Sequence, residues 1–124
     1  MHFSDYQIAL ARSFKAGGVP WTPRPGHYVL DPHEIVERES PFQDRVYFVL
    51  NLPHFIKLAG GIDSFIQKLI WLPTWDQARE ILRQCGMDDA QQQEYLTEKD
   101  SINQGSELTD LYDLIAQHFP ANPK

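Results

Sequence analysis

The sequence predicts an α+β protein that is mainly helical, with five to six helices and a small sheet of two to three strands. Capping boxes, which begin helices, occur at Ser4, Thr74 and Asp88, each with a glutamine three residues later. Residues 45–51 are β-branched and aromatic, a composition typical of a strand. At 124 residues with 42% hydrophobic content, the chain is long enough for a single compact domain with a buried core.

The first helix is predicted over residues 5–16. Ser4 caps it, an apolar stripe runs along one face, and a Gly-Gly pair ends it. Residues 19–26 contain three prolines and a glycine, so we expect an extended connector there. Trp21 lies in this connector, where we expect it to anchor the loop to the core.

Residues 27–31 are predicted to form a short strand. Asp31, Pro32 and Glu34 then form a pattern typical of a helix start, namely a cap, a proline in the first position and an acid in the first turn. We expect a short helix over 32–39, with a strand of a meander as the open alternative.

Residues 45–51 are the best strand candidate in the chain. Their apolar run has no polar interruption between Val46 and Leu50, which predicts a central strand covered on both faces. A short helix is expected to follow, bracketed by Pro53 at its first turn and Gly60 at its end.

Residues 64–72 fit either a helix or a buried strand, because periodicity does not separate the two in so short a run. We prefer a helix that Asp63 caps. For the next helix the sequence indicates both ends, since Thr74 caps its start and Gly86 follows its last turn.

Two tryptophans, Trp71 and Trp75, flank Pro73 in this stretch. We expect both in the core, so that replacing either by alanine would cost about 3–5 kcal/mol.

The C-terminal part is predicted to be helical. A polar helix runs from Asp88 to about Thr97 and has few apolar residues, so we expect it at the periphery. Ser106 caps a last helix, whose apolar stripe runs from Leu108 to Phe119.

Charge is distributed unevenly along the chain. The formal charge is −6, and residues 87–123 hold eight acidic residues against Lys99, whereas residues 1–86 are balanced. Nucleic acid is not an expected partner, because phosphate binding needs a cationic face. A basic protein partner fits better, although acidic surfaces more often serve solubility alone.

We expect one domain with three parts, and a cytoplasmic location. The parts are an N-terminal helix (1–18), a core of strands and helices (19–86) and an acidic helical part (87–124) of the domain 1–124. Cys85 is the single cysteine, so no disulfide forms within the chain, and its place on a helix stripe predicts a buried, unreactive thiol. The first residues lack the apolar segment of a signal peptide, and no stretch predicts a membrane span or a cofactor site.

One local group has the donor types of a divalent-metal site. His27, Asp31 and His33, with Glu34 beside them, would converge if a strand ended at Asp31 and a helix began next to it. The two carboxylates already have a role at the helix start, so a structural role is favoured. Motifs for a nucleophile or a phosphate cradle do not occur, so we assign no catalytic residue and lean against an enzyme.

The leading functional hypothesis is a non-catalytic protein-interaction or regulatory domain, which binds a protein partner or self-associates through the acidic C-terminal part and its last helix. The alternative is a small-molecule-binding protein or small enzyme with a pocket near residues 45–51. In that case Trp21, Trp71, Trp75 and Tyr47 would contact the ligand.

Overall fold

The chain is an α+β protein, mainly helical, as the sequence predicts; the computed structural model describes residues 2–41 and 43–120. Within these residues there are seven helices and one antiparallel sheet of three strands. In chain order the elements are α1 (Asp5–Gly17), β1 (His27–Leu30), β2 (Val46–Val49), α2 (Leu52–Ala59), α3 (Ile62–Lys68), β3 (Ile70–Leu72), α4 (Trp75–Gln84), α5 (Asp89–Glu98), α6 (Ser101–Gln104) and α7 (Glu107–His118).

The chain divides into two compact units. The first comprises Pro20–Leu72 and the residues up to Phe3, and it contains the sheet with α2 and α3. The second comprises Ser4–Val19 and the residues from Pro73 onward, and it contains the other five helices. The boundary therefore falls inside the tryptophan-rich stretch, between Trp71 and Trp75. The expectation of one domain stays a prediction.

The sheet of the first unit has the order β2-β1-β3. Val29 of β1 pairs with Tyr47 of β2 on one side and with Trp71 of β3 on the other. The prediction of a central strand over 45–51 is therefore wrong, because β2 lies at an edge. Its apolar run reflects burial of both faces, since Val46, Tyr47 and Val49 are all buried, and burial of faces does not fix a strand's position in a sheet.

Residues 32–39 form neither helix nor strand, so the predicted short helix and its strand alternative are both wrong. Asp31 does cap this segment, because its carboxylate accepts hydrogen bonds from the amides of Ile35 (3.1 Å) and Val36 (2.8 Å). Glu34 has a left-handed backbone, with φ at 56°, which is incompatible with continuing a right-handed helix. The cap is present without the helix.

Residues 64–72 contain both of the proposed structures. α3 ends at Lys68, and β3 follows it along the edge of β1. The preferred helix is correct only for the first part of the segment, because β1 offers a strand edge to which Ile70–Leu72 can pair. Asp63 is not the cap: Gly61 occupies that position, and Asp63 lies in the first turn, where negative charge suits the helix dipole.

In the second unit, α7 packs against both α1 and α4. Its apolar stripe is the centre of the unit's core, with Leu111, Tyr112, Leu114 and Ile115 buried. The ring of Tyr112 meets Phe14 edge-on at 5.1 Å, and its hydroxyl donates to the carbonyl of Pro73 at 2.5 Å. The stripe of the last helix is thus already covered by its own unit.

The capping boxes begin helices as predicted. Ser4 opens α1, Thr74 opens α4 and Asp88 opens α5, each with its glutamine. Gly86 follows α4 in the left-handed conformation, with φ at 93°.

The expectation that both tryptophans lie in the core is wrong for Trp75, which is 38% exposed. Trp75 is the first residue of α4, and Arg79, one turn later, lies over its ring at 4.9 Å. Trp71 is half-buried in the first unit.

One short helix, α6, has no counterpart among the elements that the sequence predicts. Its first residue, Ser101, is buried and donates its hydroxyl to Asp110 at 2.5 Å, a tertiary contact that local sequence does not indicate.

Candidate functional site

Three of the residues put forward from the sequence meet in the first unit, namely Trp21, His27 and Trp71. The Trp71 ring stacks on His27, with ring centroids 5.0 Å apart, and lies nearly parallel to Trp21 at 6.1 Å. The indole Nε1–H of Trp21 donates to His27 Nδ1 at 3.2 Å, and the Trp21 ring also contacts Phe65. Trp21 thus anchors the connector to the first unit, as the sequence predicts.

His27 lies in this group as a neutral imidazole. Because Nδ1 accepts the indole hydrogen bond, the ring proton belongs on Nε2. Burial, and then the positive charge of Arg24, lower the pKa of His27 below its ordinary value. A neutral, stacked ring of this kind suits a structural contact.

Asp31 and His33, the other two proposed metal ligands, have different surroundings. Asp31 is completely buried, and besides the two amides it accepts from Arg45 Nη2 at 3.0 Å. His33 is exposed. Among residues 2–41 and 43–120, no group of three or more His, Cys, Asp or Glu side chains is placed to hold a metal ion. The metal site stays a prediction, and the contacts of Asp31 favour its structural role.

The four aromatic residues proposed to contact a ligand do not share one site. Trp21 and Trp71 are together, whereas Tyr47 belongs to the core of the first unit and donates its hydroxyl to the carbonyl of Arg38 at 2.6 Å. Trp75 belongs to the second unit.

A shallow depression lies beside β2, in the region where the sequence places a pocket. It has a volume of about 380 Å³ and is open to solvent. Leu50, at its rim, is 71% exposed. Its lining residues are Arg38, Glu39, Pro41, Tyr47, Phe48 and Leu50.

A second depression lies on the second unit, between α5 and α6, with a volume of about 230 Å³. Ile102, at this depression, is 71% exposed. The lining residues are Gln93, Leu96, Thr97, Asp100, Ser101, Ile102, Asn103 and Glu107. Asp100 and Glu107 are the carboxylates of its lining. We call this depression, together with Glu94 and Glu98, two exposed carboxylates of α5 outside the lining, the acidic surface.

The sequence analysis missed Ile102 because it assigned no helix to residues 101–104. An isolated isoleucine between polar residues was the available signal.

Cys85, expected to be buried, is half-buried in the second unit. Burial raises the pKa of its thiol, which disfavours the nucleophilic thiolate.

None of the helices within the described ranges is both long and apolar enough to cross a membrane. Comparison of the chain with protein-family models, with curated proteins and with solved structures gives no significant match.

Proposed function

We propose that this protein is a non-catalytic, cytoplasmic protein-interaction domain whose acidic surface binds a basic segment of a partner protein. The observation that carries the proposal is the exposed side chain of Ile102 beside a depression bordered by carboxylates. Such an arrangement suits a ligand that combines an apolar side chain with positive charges.

Electrostatics supports a basic partner. The second unit holds eleven acidic against six basic residues, a net charge of −5, while the first unit holds six acidic and five basic residues. A negative field of this kind attracts cationic segments, accelerates their encounter and repels acidic ones.

Several acidic side chains of the second unit are already engaged. Asp88 caps α5, Asp89 accepts from Arg83 at 2.7 Å, and Asp110 accepts from two serine hydroxyls. Two carboxylates of the acidic surface, Glu94 and Glu98, are exposed to solvent and lie four residues apart on α5. Carboxylates spaced by one helical turn lie on the same side of a helix and can both contact one cationic segment.

The apolar part of the surface would provide specificity. Ile102 and the buried side chain of Leu96 line the depression, so an aliphatic side chain of the partner could be buried against Ile102 there. Charge would guide the approach, and burial of the aliphatic anchor would slow dissociation.

Titration by NMR tests the proposal. The ¹⁵N-labelled full chain is titrated with a synthetic amphipathic peptide of lysine and leucine, and with the same peptide carrying glutamate at every lysine position. We expect the basic peptide to shift the amides of residues 93–107, with an affinity that falls as salt is added. Shifts scattered over both units, or equal binding of the acidic peptide, would contradict the proposal.

Variants locate the interaction. Glu94→Gln with Glu98→Gln should weaken binding by roughly two- to fivefold per charge, as expected for exposed ion pairs. Ile102→Asp should weaken it further. The matched control is Glu37→Gln with Asp44→Asn, which removes two exposed carboxylates from the first unit. A control that weakens binding as much as the α5 pair would show that only the total charge matters.

The cytoplasmic location is part of the proposal and rests on the sequence. A single cysteine leaves the chain without an internal disulfide, and this is usual for proteins of a reducing compartment. The alternative function, a small-ligand pocket near residues 45–51, has one supporting observation, the depression beside β2.

A further inference from the structure

The depression of the acidic surface is small and has an apolar part. Its volume of about 230 Å³ lies below the roughly 300–1,000 Å³ of small-molecule pockets, so it suits one side chain better than a whole ligand. Ile102 is 71% exposed at this depression, whereas Leu96, also in its lining, is buried. Ile102 therefore provides apolar area that a partner can cover.

The polar groups of the lining are mainly acceptors. Gln93 Nε2 donates to Thr97 Oγ1 at 3.4 Å, and Asn103 Nδ2 donates to Asp100 Oδ1 at 2.8 Å, so each amide uses part of its donor capacity inside the lining. Within residues 2–41 and 43–120, nothing donates to the amide oxygen of Gln93 or of Asn103. None of the described lining residues is a lysine, an arginine or a histidine. A ligand that is rich in hydrogen-bond donors matches these oxygens.

Glu107 adds a carboxylate that lacks a counter-ion in the described ranges. It is half-buried at the first position of α7, and its oxygens take part in no hydrogen bond or ion pair there. Other acidic side chains of the second unit are engaged, such as Asp113, which accepts from the Tyr6 hydroxyl at 2.6 Å. Because water screens a half-buried carboxylate less, a cation that binds to it gains more than at an exposed one.

We propose that this depression binds an arginine side chain of the basic partner segment, with its guanidinium at Glu107 and Asp100 and its methylene stem on Ile102. The inference rests on the proposed function and names the residue that anchors the partner. A guanidinium has several N–H donors and no acceptor, which matches a lining of carboxylate and amide oxygens. The methylenes of the stem cover apolar surface while the charged end stays among polar groups. One side chain then supplies both the charge and the aliphatic group that the acidic surface requires.

The lining favours arginine over lysine or leucine. An ammonium is a compact, strongly hydrated charge, so its partial burial costs more solvation than that of the planar, weakly hydrated guanidinium. The guanidinium also bonds to two oxygens at once, and such paired, charge-assisted bonds are among the strongest that side chains form. Leucine would cover Ile102 but leave the Glu107 carboxylate without a counter-ion.

Three peptides that differ at one side chain test the inference. The peptide of lysine and leucine is made with arginine, lysine or citrulline at one central position, since citrulline keeps the shape of arginine without its charge. Each version is titrated into the ¹⁵N-labelled full chain. We expect shifts at residues 93–107, with the arginine version binding at least about fivefold tighter than the lysine version and the citrulline version weakest.

The results separate the two proposals. Equal affinity of the arginine and lysine versions at residues 93–107 would overturn the arginine site and leave the acidic surface as a site for basic segments. If none of the versions shifts these residues, both proposals are wrong. Binding of free N-acetyl-arginine amide as tightly as the arginine peptide would also refute an anchor that belongs to a protein segment.

Two variants locate the guanidinium. Glu107→Gln keeps the size of the side chain and removes its charge, so the preference for arginine over lysine should fall to about twofold or less. Glu98→Gln removes an exposed carboxylate outside the lining, and it should weaken both peptides while leaving the ratio of their affinities unchanged. An equal change of this ratio in the two variants would contradict a contact between arginine and Glu107. Both variants are checked for unchanged far-ultraviolet circular dichroism.

Discussion

The indole Nε1–H of Trp21 donates a hydrogen bond to Nδ1 of His27 at 3.2 Å, and the histidine ring is stacked on Trp71. This contact requires an unprotonated Nδ1, so protonation of His27 removes the acceptor that holds Trp21 and its connector. Burial, followed by the charge of Arg24, lowers the pKa of His27 in the folded protein.

We therefore expect the His27 contribution to stability to be lost in acid. Because the folded-state pKa is lowered, the unfolded chain binds more protons than the folded one between that lowered value and about 6.5, so the free energy of unfolding falls as the pH decreases through this window. Above about pH 6.5 the contribution is complete. Urea unfolding at about pH 7.5 and about pH 5.5, on either side of the ordinary histidine pKa, measures the change.

The comparison variants are His27→Gln and His33→Gln. The first removes the titrating ring and should make stability less dependent on pH in this range. The second changes an exposed histidine and should keep the dependence of the wild type. If both variants retain the same dependence, His27 does not cause it.

Arg45 contacts two carboxylates, Asp31 and Glu34, which differ in burial. Asp31 is completely buried at 3.0 Å from Arg45, whereas Glu34 is 79% exposed at 3.9 Å. Asp31→Ala removes the acceptor of two amides and the partner of a half-buried guanidinium, and it should cost about 3–5 kcal/mol. Glu34→Ala should cost at most about 0.5 kcal/mol. Urea unfolding measures both values, and similar losses in the two variants would contradict this interpretation.

The sequence predicts a core position for both Trp71 and Trp75, but we expect their replacement by alanine to cost different amounts of stability. Trp71 is half-buried and contacts both Trp21 and His27, so Trp71→Ala should cost about 2–4 kcal/mol. Trp75 is 38% exposed and contacts Arg79, so Trp75→Ala should cost about 1 kcal/mol. Thermal unfolding of both variants gives the order, and a larger loss at Trp75 would be inconsistent with it.

The helix starts could be predicted because their cause is local. At Ser4, Thr74 and Asp88 the cap and its glutamine lie within one turn, so four residues of sequence contain the whole interaction. The strand over 46–49 was also recognisable from composition. Its position at the edge was not, because that position depends on where Ile70–Leu72 pairs with β1.

The candidate site was predictable only in part. Trp21, His27 and Trp71 were each singled out, but their contact joins the connector, β1 and β3, which no local pattern links. The cap at Asp31 was also recognised. The helix expected after it does not form, because Glu34 has a left-handed backbone, a conformation that its residue type does not predict.

Gln92 on α5 is a further residue whose position the sequence does not predict. This helix was expected to be peripheral, yet Gln92 is completely buried. Its Nε2 donates to the carbonyls of Arg79 at 3.2 Å and Met87 at 3.0 Å, and its Oε1 accepts from Arg79 Nε at 2.9 Å. A glutamine in a polar helix resembles its exposed neighbours in sequence, so only the fold reveals that it joins α5 to α4.

We expect Gln92→Leu to cost about 2–4 kcal/mol, because leucine fills a similar space but removes the three hydrogen bonds of a completely buried amide. Gln93→Leu makes the same change one residue later, at an exposed position, and should stay within about 0.5 kcal/mol of the wild type. Urea unfolding of the two variants under one condition separates burial of the amide from the change in helix propensity, which is common to both. Equal stability of the two would mean that the three hydrogen bonds of Gln92 contribute no net stability to the second unit.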